Sequence, residues 1–80
     1  MKVFFFGRLK EALGEVLEVP DQPAEKVGDL RRRLAECHPA AAHDLLSPRV
    51  RACVDDVIVG EDYALARQAR VEFFPPLSGG

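Results

Sequence analysis

The chain has 80 residues, 48% of them hydrophobic and 30% charged, and carries a net charge of −2. Those values suit one small folded domain that buries roughly 60% of its unfolded surface, and they exclude an intrinsically disordered chain. No basic stripe with interleaved aromatics is present, the apolar runs are too short to span a bilayer, and the start lacks a signal-peptide layout. Nucleic acid and membrane are therefore not expected partners, and a cytoplasmic location is.

Lys2 to Phe6 is rich in β-formers and stops at Gly7, which predicts a strand. Leu9, Ala12 and Leu13 recur at helical spacing within Arg8 to Leu13, with Gly14 placed as a C-cap. Glu15 to Val19 reads as a second strand closed by Pro20, and a turn-like stretch follows to Lys26. Val27, Leu30 and Leu34 then define one face of the main helix, with Asp29 in its first turn and Pro39 beyond its end. Arg31, Arg32 and Arg33 are assigned to a solvated helix face.

Ala40 to Leu46 reads as a short helix ended by Ser47-Pro48. Arg51 to Val54 and Val57 to Val59 read as a hairpin turning at Asp55-Asp56, a weaker turn pair than Asp-Gly. Gly60 to Gln68 is a connector, and Ala69 to Phe74 is the last strand. Cys37 and Cys53 form no CxxC pair, and Cys37, His38 and His43 are interrupted by Pro39, so no metal site is expected.

Strand parity sorts the apolar residues between two faces. In the last strand Glu72 shares its face with Phe74, leaving Val71 and Phe73 for the core. In the first, Lys2 lies with Phe4 and Phe6, leaving Val3 and Phe5. A two-residue turn pairs Val54 with Val57 and Cys53 with Ile58, the latter on the same face as Arg51. Phe6, Ile58 and Phe74 are thus expected on the wet face, where a contiguous apolar patch would mark a binding surface.

The sequence ends Pro75-Pro76-Leu77-Ser78-Gly79-Gly80. The prolines cannot extend a ladder and favour a projecting, polyproline-like course. Six residues reach roughly 20 Å when extended. Glycine lacks Cβ, so Gly79 and Gly80 could pass a narrow channel behind Ser78, with Leu77 as an apolar anchor. The division expected is a domain over residues 1–74 and an extended tail over 75–80. A terminal carboxylate on Gly80 is the expected reactive group, once a partner converts it to an acyl adenylate with ATP. Sulfur or an amine could then displace the adenylate, giving a thiocarboxylate or an isopeptide bond.

Phe73-Phe74-Pro75-Pro76-Leu77-Ser78-Gly79-Gly80 is similar to the Phe-Phe-Pro-Pro-x-x-Gly-Gly ending of molybdopterin synthase small subunits, which are ubiquitin-like sulfur carriers. Val3 to Lys10 resembles that family's opening strand and turn, and Val27 to Leu34 its main helix. The resemblance implies an α+β, ubiquitin-like β-grasp fold: a mixed sheet of about five strands on one main helix, with short helices. It implies a non-catalytic sulfur-donor subunit of a heteromeric synthase that binds no cofactor itself. An E1-like adenylyltransferase would activate Gly80 with ATP and a sulfurtransferase would supply the sulfur. The large subunit would accept the tail, and two transfers to cyclic pyranopterin monophosphate would form the molybdopterin dithiolene.

The family's partner-binding patch maps onto Phe6, Ile58 and Phe74. Three places depart from its pattern. Gln68-Ala69 replaces a frequent Gly-Asp, Asp55-Asp56 fills a turn that often carries Asn, and Lys26 occupies an N-cap where Thr is common. Other readings are a carrier for thiamine, cysteine or tRNA thiolation, a ubiquitin-like protein modifier, and a plain interaction module.

Overall fold

The computed structural model describes residues 1–75; Pro76, Leu77, Ser78, Gly79 and Gly80, on which most of the tail expectations fall, lie outside the described residues. In chain order the elements are β1 (Lys2–Phe5), α1 (Arg8–Leu13), β2 (Val16–Glu18), α2 (Val27–Cys37), a 3₁₀ turn (Pro39–Ala41), α3 (Ala42–Leu45), β3 (Arg51–Val54), β4 (Val57–Val59) and β5 (Arg70–Phe74). No helix among the described residues is long and apolar enough to cross a membrane.

The strands form one sheet in the order β2-β1-β5-β3-β4. The central pair, β1 and β5, runs parallel with Phe5 opposite Phe73. The flanking pairs are antiparallel, with Val3 opposite Leu17, Ala52 opposite Phe73, and Cys53 opposite Ile58. With α2 laid across one face, this is the ubiquitin-like β-grasp, as the resemblance implied.

The core lies between that face and the helices. Val3, Phe5, Val71 and Phe73 from the central strands meet Leu9, Val27, Leu30, Leu34 and Leu45, all buried. The Phe5 and Phe73 rings stack at 6.3 Å between centroids with their planes 16° apart. Parity decides this: the residues on either side of Phe5, Phe4 and Phe6, leave the core.

The reading of the three arginines needs correction. Arg31 is buried: one Nη donates to the carbonyls of Leu45 at 2.8 Å and Ser47 at 3.2 Å, and the other to Glu61 at 2.9 Å. Its Nε lies 2.9 Å from the second Glu61 oxygen but off the line of a hydrogen bond. Arg33 grips the buried Glu25 carboxylate at 2.8 and 3.0 Å, which raises the guanidinium pKa further. Only Arg32, paired with Asp29 on its own helix, matches a solvated face. The helical period carried the signal, because Arg31 stands four residues after Val27 and three before Leu34.

The Lys26 departure is compensated. Asp29 Oδ2 accepts the Lys26 backbone N–H at 3.0 Å, and that bond holds the Asp29 carboxyl below its usual range. The next two donors, on Val27 and Gly28, reach the carbonyls of Tyr63 and Glu61 at 3.0 Å each. The connector between β4 and β5 thus satisfies the two donors that the Asp29 side chain does not reach.

The other two departures are absorbed by backbone conformation. Asp55 and Asp56 both take positive φ, 48° and 72°, which matches the right-handed twist of a two-residue hairpin. Asp55 also accepts the Arg70 N–H on its side chain at 3.1 Å. Gln68 has φ 60°, the left-handed conformation that glycine adopts more easily. The helix expected over Ala40–Leu46 opens as a 3₁₀ turn at Pro39 and becomes α only from Ala42.

Candidate docking face and tail root

Helices cover one face of the sheet; the other is open. Strand register places three rows of side chains across it. Glu18, Lys2 and Arg70 make a charged row at one end. Val16, Phe4, Glu72, Cys53 and Ile58 form the middle row. Phe74 stands beside Arg51 in the third row, at the C-terminal end of β5. Phe6 continues the parity of β1 beside them, its N–H donating to the Phe73 carbonyl at 3.3 Å.

The structure therefore brings Phe6, Ile58 and Phe74 to the open face, as parity required. Phe6 is 42% and Ile58 60% exposed, while Phe74 is half-buried. The three do not form one block. Ile58 lies two strand spacings from β5, about 10 Å away, with Cys53 and Arg51 on the strand between. Val16, 43% exposed opposite Phe4, extends the apolar surface toward the other edge. Its place beside Glu15, with Glu18 next on the same strand face, does not declare that Phe4 lies across from it.

Electrostatics grade this face from charged to apolar. The Arg70 guanidinium lies 3.9 Å from the centroid of the Phe4 ring and 3.8 Å from Glu72, so it covers Phe4 and partly neutralises the central carboxylate. Burial raises the Cys53 thiol pKa, and the Glu72 charge beside it raises it further. Cys53 is thus a protonated, weakly polar side chain near neutral pH, fit for an interface rather than for nucleophilic attack.

Pro75 is the one tail residue among those described. It is half-buried, and its ring lies against Gly7, whose φ of 61° and ψ of −134° belong to the region open mainly to glycine. A Cβ on Gly7 would stand 2.8 Å from Pro75 Cγ. Sequence reading identified Gly7 only as a strand terminator. A glycine 68 residues from a proline gives no local sign that the two touch.

The ThiS family matches over residues 3–80 of the chain. No curated protein matches it in sequence. Among solved structures it is similar to small archaeal modifier protein 1 of Haloferax volcanii, with 23% identity and a TM-score of 0.83 over 95% of each chain. A Pyrococcus furiosus protein provisionally described as subunit 1 of molybdopterin converting factor is similar at 23% identity and TM-score 0.80, again over 95% of each chain. A complex of subunits 1 and 2 of molybdopterin-converting factor from Helicobacter pylori contains a chain 20% identical, with a TM-score of 0.67 over 99% of this chain and 96% of that one. At these identities the likenesses establish a common fold.

Proposed function

This chain belongs to the ThiS family, and we propose that it is a sulfur carrier for molybdenum cofactor biosynthesis. The observation that carries the reading is the coincidence of two features at one end of the sheet. The apolar corner of the open face lies where β5 passes into the Pro75 to Gly80 segment, so a partner docked on Phe6 and Phe74 would receive the tail directly. Ile58 would widen the contact on the far side of Arg51.

The chemistry belongs to the tail and its partners. An E1-like adenylyltransferase would join the Gly80 carboxylate oxygen to the α-phosphorus of ATP, releasing pyrophosphate. The terminal sulfur of a persulfide on a sulfurtransferase would displace AMP, and a thiol would reduce the resulting acyl disulfide to the thiocarboxylate. Pro75 and Pro76 would stiffen the thread, Leu77 would anchor it, and Ser78 and Gly79 would let it pass a narrow channel. The large subunit of the synthase would then hold the pterin precursor that takes the sulfur. The Helicobacter assembly of subunits 1 and 2 supports such a partner by precedent. This chain would bind no cofactor; ATP would be used by the activating enzyme.

Intact mass tests the reading. With activating enzyme, ATP and a persulfide donor, the chain should gain the mass of one oxygen-to-sulfur exchange at Gly80. Large subunit and precursor should then return it to the starting mass as dithiolene appears. An unchanged mass where a control carrier is activated would overturn it. The likeness to a modifier protein motivates a second reading, conjugation to lysines through Gly80, which predicts high-mass adducts in cell extracts that vanish when Gly80 is deleted.

A further inference from the structure

Gly7 is fixed on both sides. The residue before it donates to the Phe73 carbonyl at 3.3 Å, and its own carbonyl accepts the Glu11 N–H at 3.2 Å to open α1. The Gly7 backbone is therefore a rigid surface set by the central strand pair and the first helix. Its φ of 61° and ψ of −134° turn the face that would carry a Cβ toward Pro75. On that side Pro75 Cγ, Cδ and Cβ would lie 2.8, 3.4 and 3.9 Å from the added carbon. Pro75 follows the last strand residue and has no N–H, so the parallel ladder cannot continue through it. Ring packing takes the place of the next hydrogen bond.

We propose that Gly7 is a positioning residue: a bare-backbone seat for the Pro75 ring that sets the direction in which the tail leaves the sheet. The inference rests on the sulfur-carrier reading for its consequence, and on geometry alone for the seat. A side chain at position 7 would lift the ring and change the direction in which the chain leaves Pro75. Fewer molecules would then have the tail aimed at a partner's channel. The docking face itself would be unchanged, so partner affinity should hold while productive threading falls.

The test uses the full chain as Gly7→Ala, Pro75→Ala and the double variant, with the activating enzyme, ATP and a persulfide donor. Melting curves establish that each variant is folded. Gly7→Ala is expected to lower the kcat of thiocarboxylate formation about tenfold while KM stays within about twofold, the pattern of a lost orientation effect. Adding Pro75→Ala should restore part of that loss, because the smaller side chain clears the new methyl while the backbone strain of a Cβ at φ 61° remains. A double variant no better than Gly7→Ala, or a Gly7→Ala with unaltered kcat, would overturn the proposal.

Should Gly7→Ala fail to fold, proton NMR of the unaltered chain decides. Cross-peaks between the Gly7 α-protons and the Pro75 ring protons are expected, and their absence overturns the seat. If the unaltered chain is not activated at all, the carrier reading fails. The same cross-peaks, with residual dipolar couplings of the tail amides in Gly7→Ala against the unaltered chain, then support the seat or overturn it.

Discussion

The two faces of the sheet use the same side chain for opposite ends. Phe5 and Phe73 lie fully buried against each other and under α2; Phe6 and Phe74, each one residue further along, look outward. Each face also sets an arginine against a phenylalanine, Arg31 at 5.2 Å from the Phe73 centroid and Arg70 at 3.9 Å from that of Phe4. What differs is the remaining company. Arg31, itself buried, meets two carbonyls and the carboxylate of the exposed Glu61, whereas Arg70 is exposed beside a neighbouring Glu72. Residue type does not decide whether a group holds the fold together or offers it to a partner. The alternation of the strand and the placement of the helices do.

The comparison breaks most sharply at the phenylalanines. Phe73→Ala should cost about 3–5 kcal/mol, enough to unfold much of so small a domain, through lost transfer energy and a residual cavity. Phe74→Ala should change stability by less than about 1 kcal/mol yet weaken binding of the proposed large-subunit partner by about 1–2 kcal/mol. Urea unfolding and titration calorimetry measure the two. Equal effects on stability would erase the distinction between the faces.

The arginines repeat the contrast at smaller scale. Removing Arg31 strands the buried Leu45 carbonyl, while the Ser47 carbonyl keeps the Val50 N–H and Glu61 turns to solvent, so Arg31→Ala should cost about 1–3 kcal/mol. Arg70→Ala should fall within about 1 kcal/mol, since its ion pair and ring contact are solvent-screened. Thermal melts of the two variants side by side supply the comparison.

Cysteine alkylation gives the smallest and most local measure. Cys37 is exposed on α2, whereas Cys53 is half-buried on the open face beside Glu72. Since burial and that carboxylate raise its pKa, Cys53 holds less thiolate than an ordinary cysteine at any pH below its own pKa. Iodoacetamide should therefore label Cys37 first, and Cys53 should gain rate as pH rises. The proposed large-subunit partner, when bound, should block Cys53 alone. Labelling of Cys53 that the partner leaves unchanged would place the docking surface elsewhere.

Much of this architecture was legible because it depends on neighbours in the chain. Alternation set which side of β1 and β5 is wet, and the two-residue turn at Asp55-Asp56 fixed the pairing of Cys53 with Ile58. Gly14 stopped α1 where its φ of 90° was needed. The tertiary structure decided what depends on distant partners. It put Arg31 inside, since only the fold brings the Leu45 and Ser47 carbonyls and Glu61 to meet it. It supplied the N-terminus of α2 from the Tyr63 and Glu61 carbonyls, and it split the apolar patch by running β3 between Ile58 and Phe74. It also laid Pro75 on Gly7. Periodicity is a property of adjacent residues, so the sequence by itself determined the elements and their faces. Strand order and long-range contacts arise only when the chain closes on itself, and they decided how those faces are joined and where Pro75 rests.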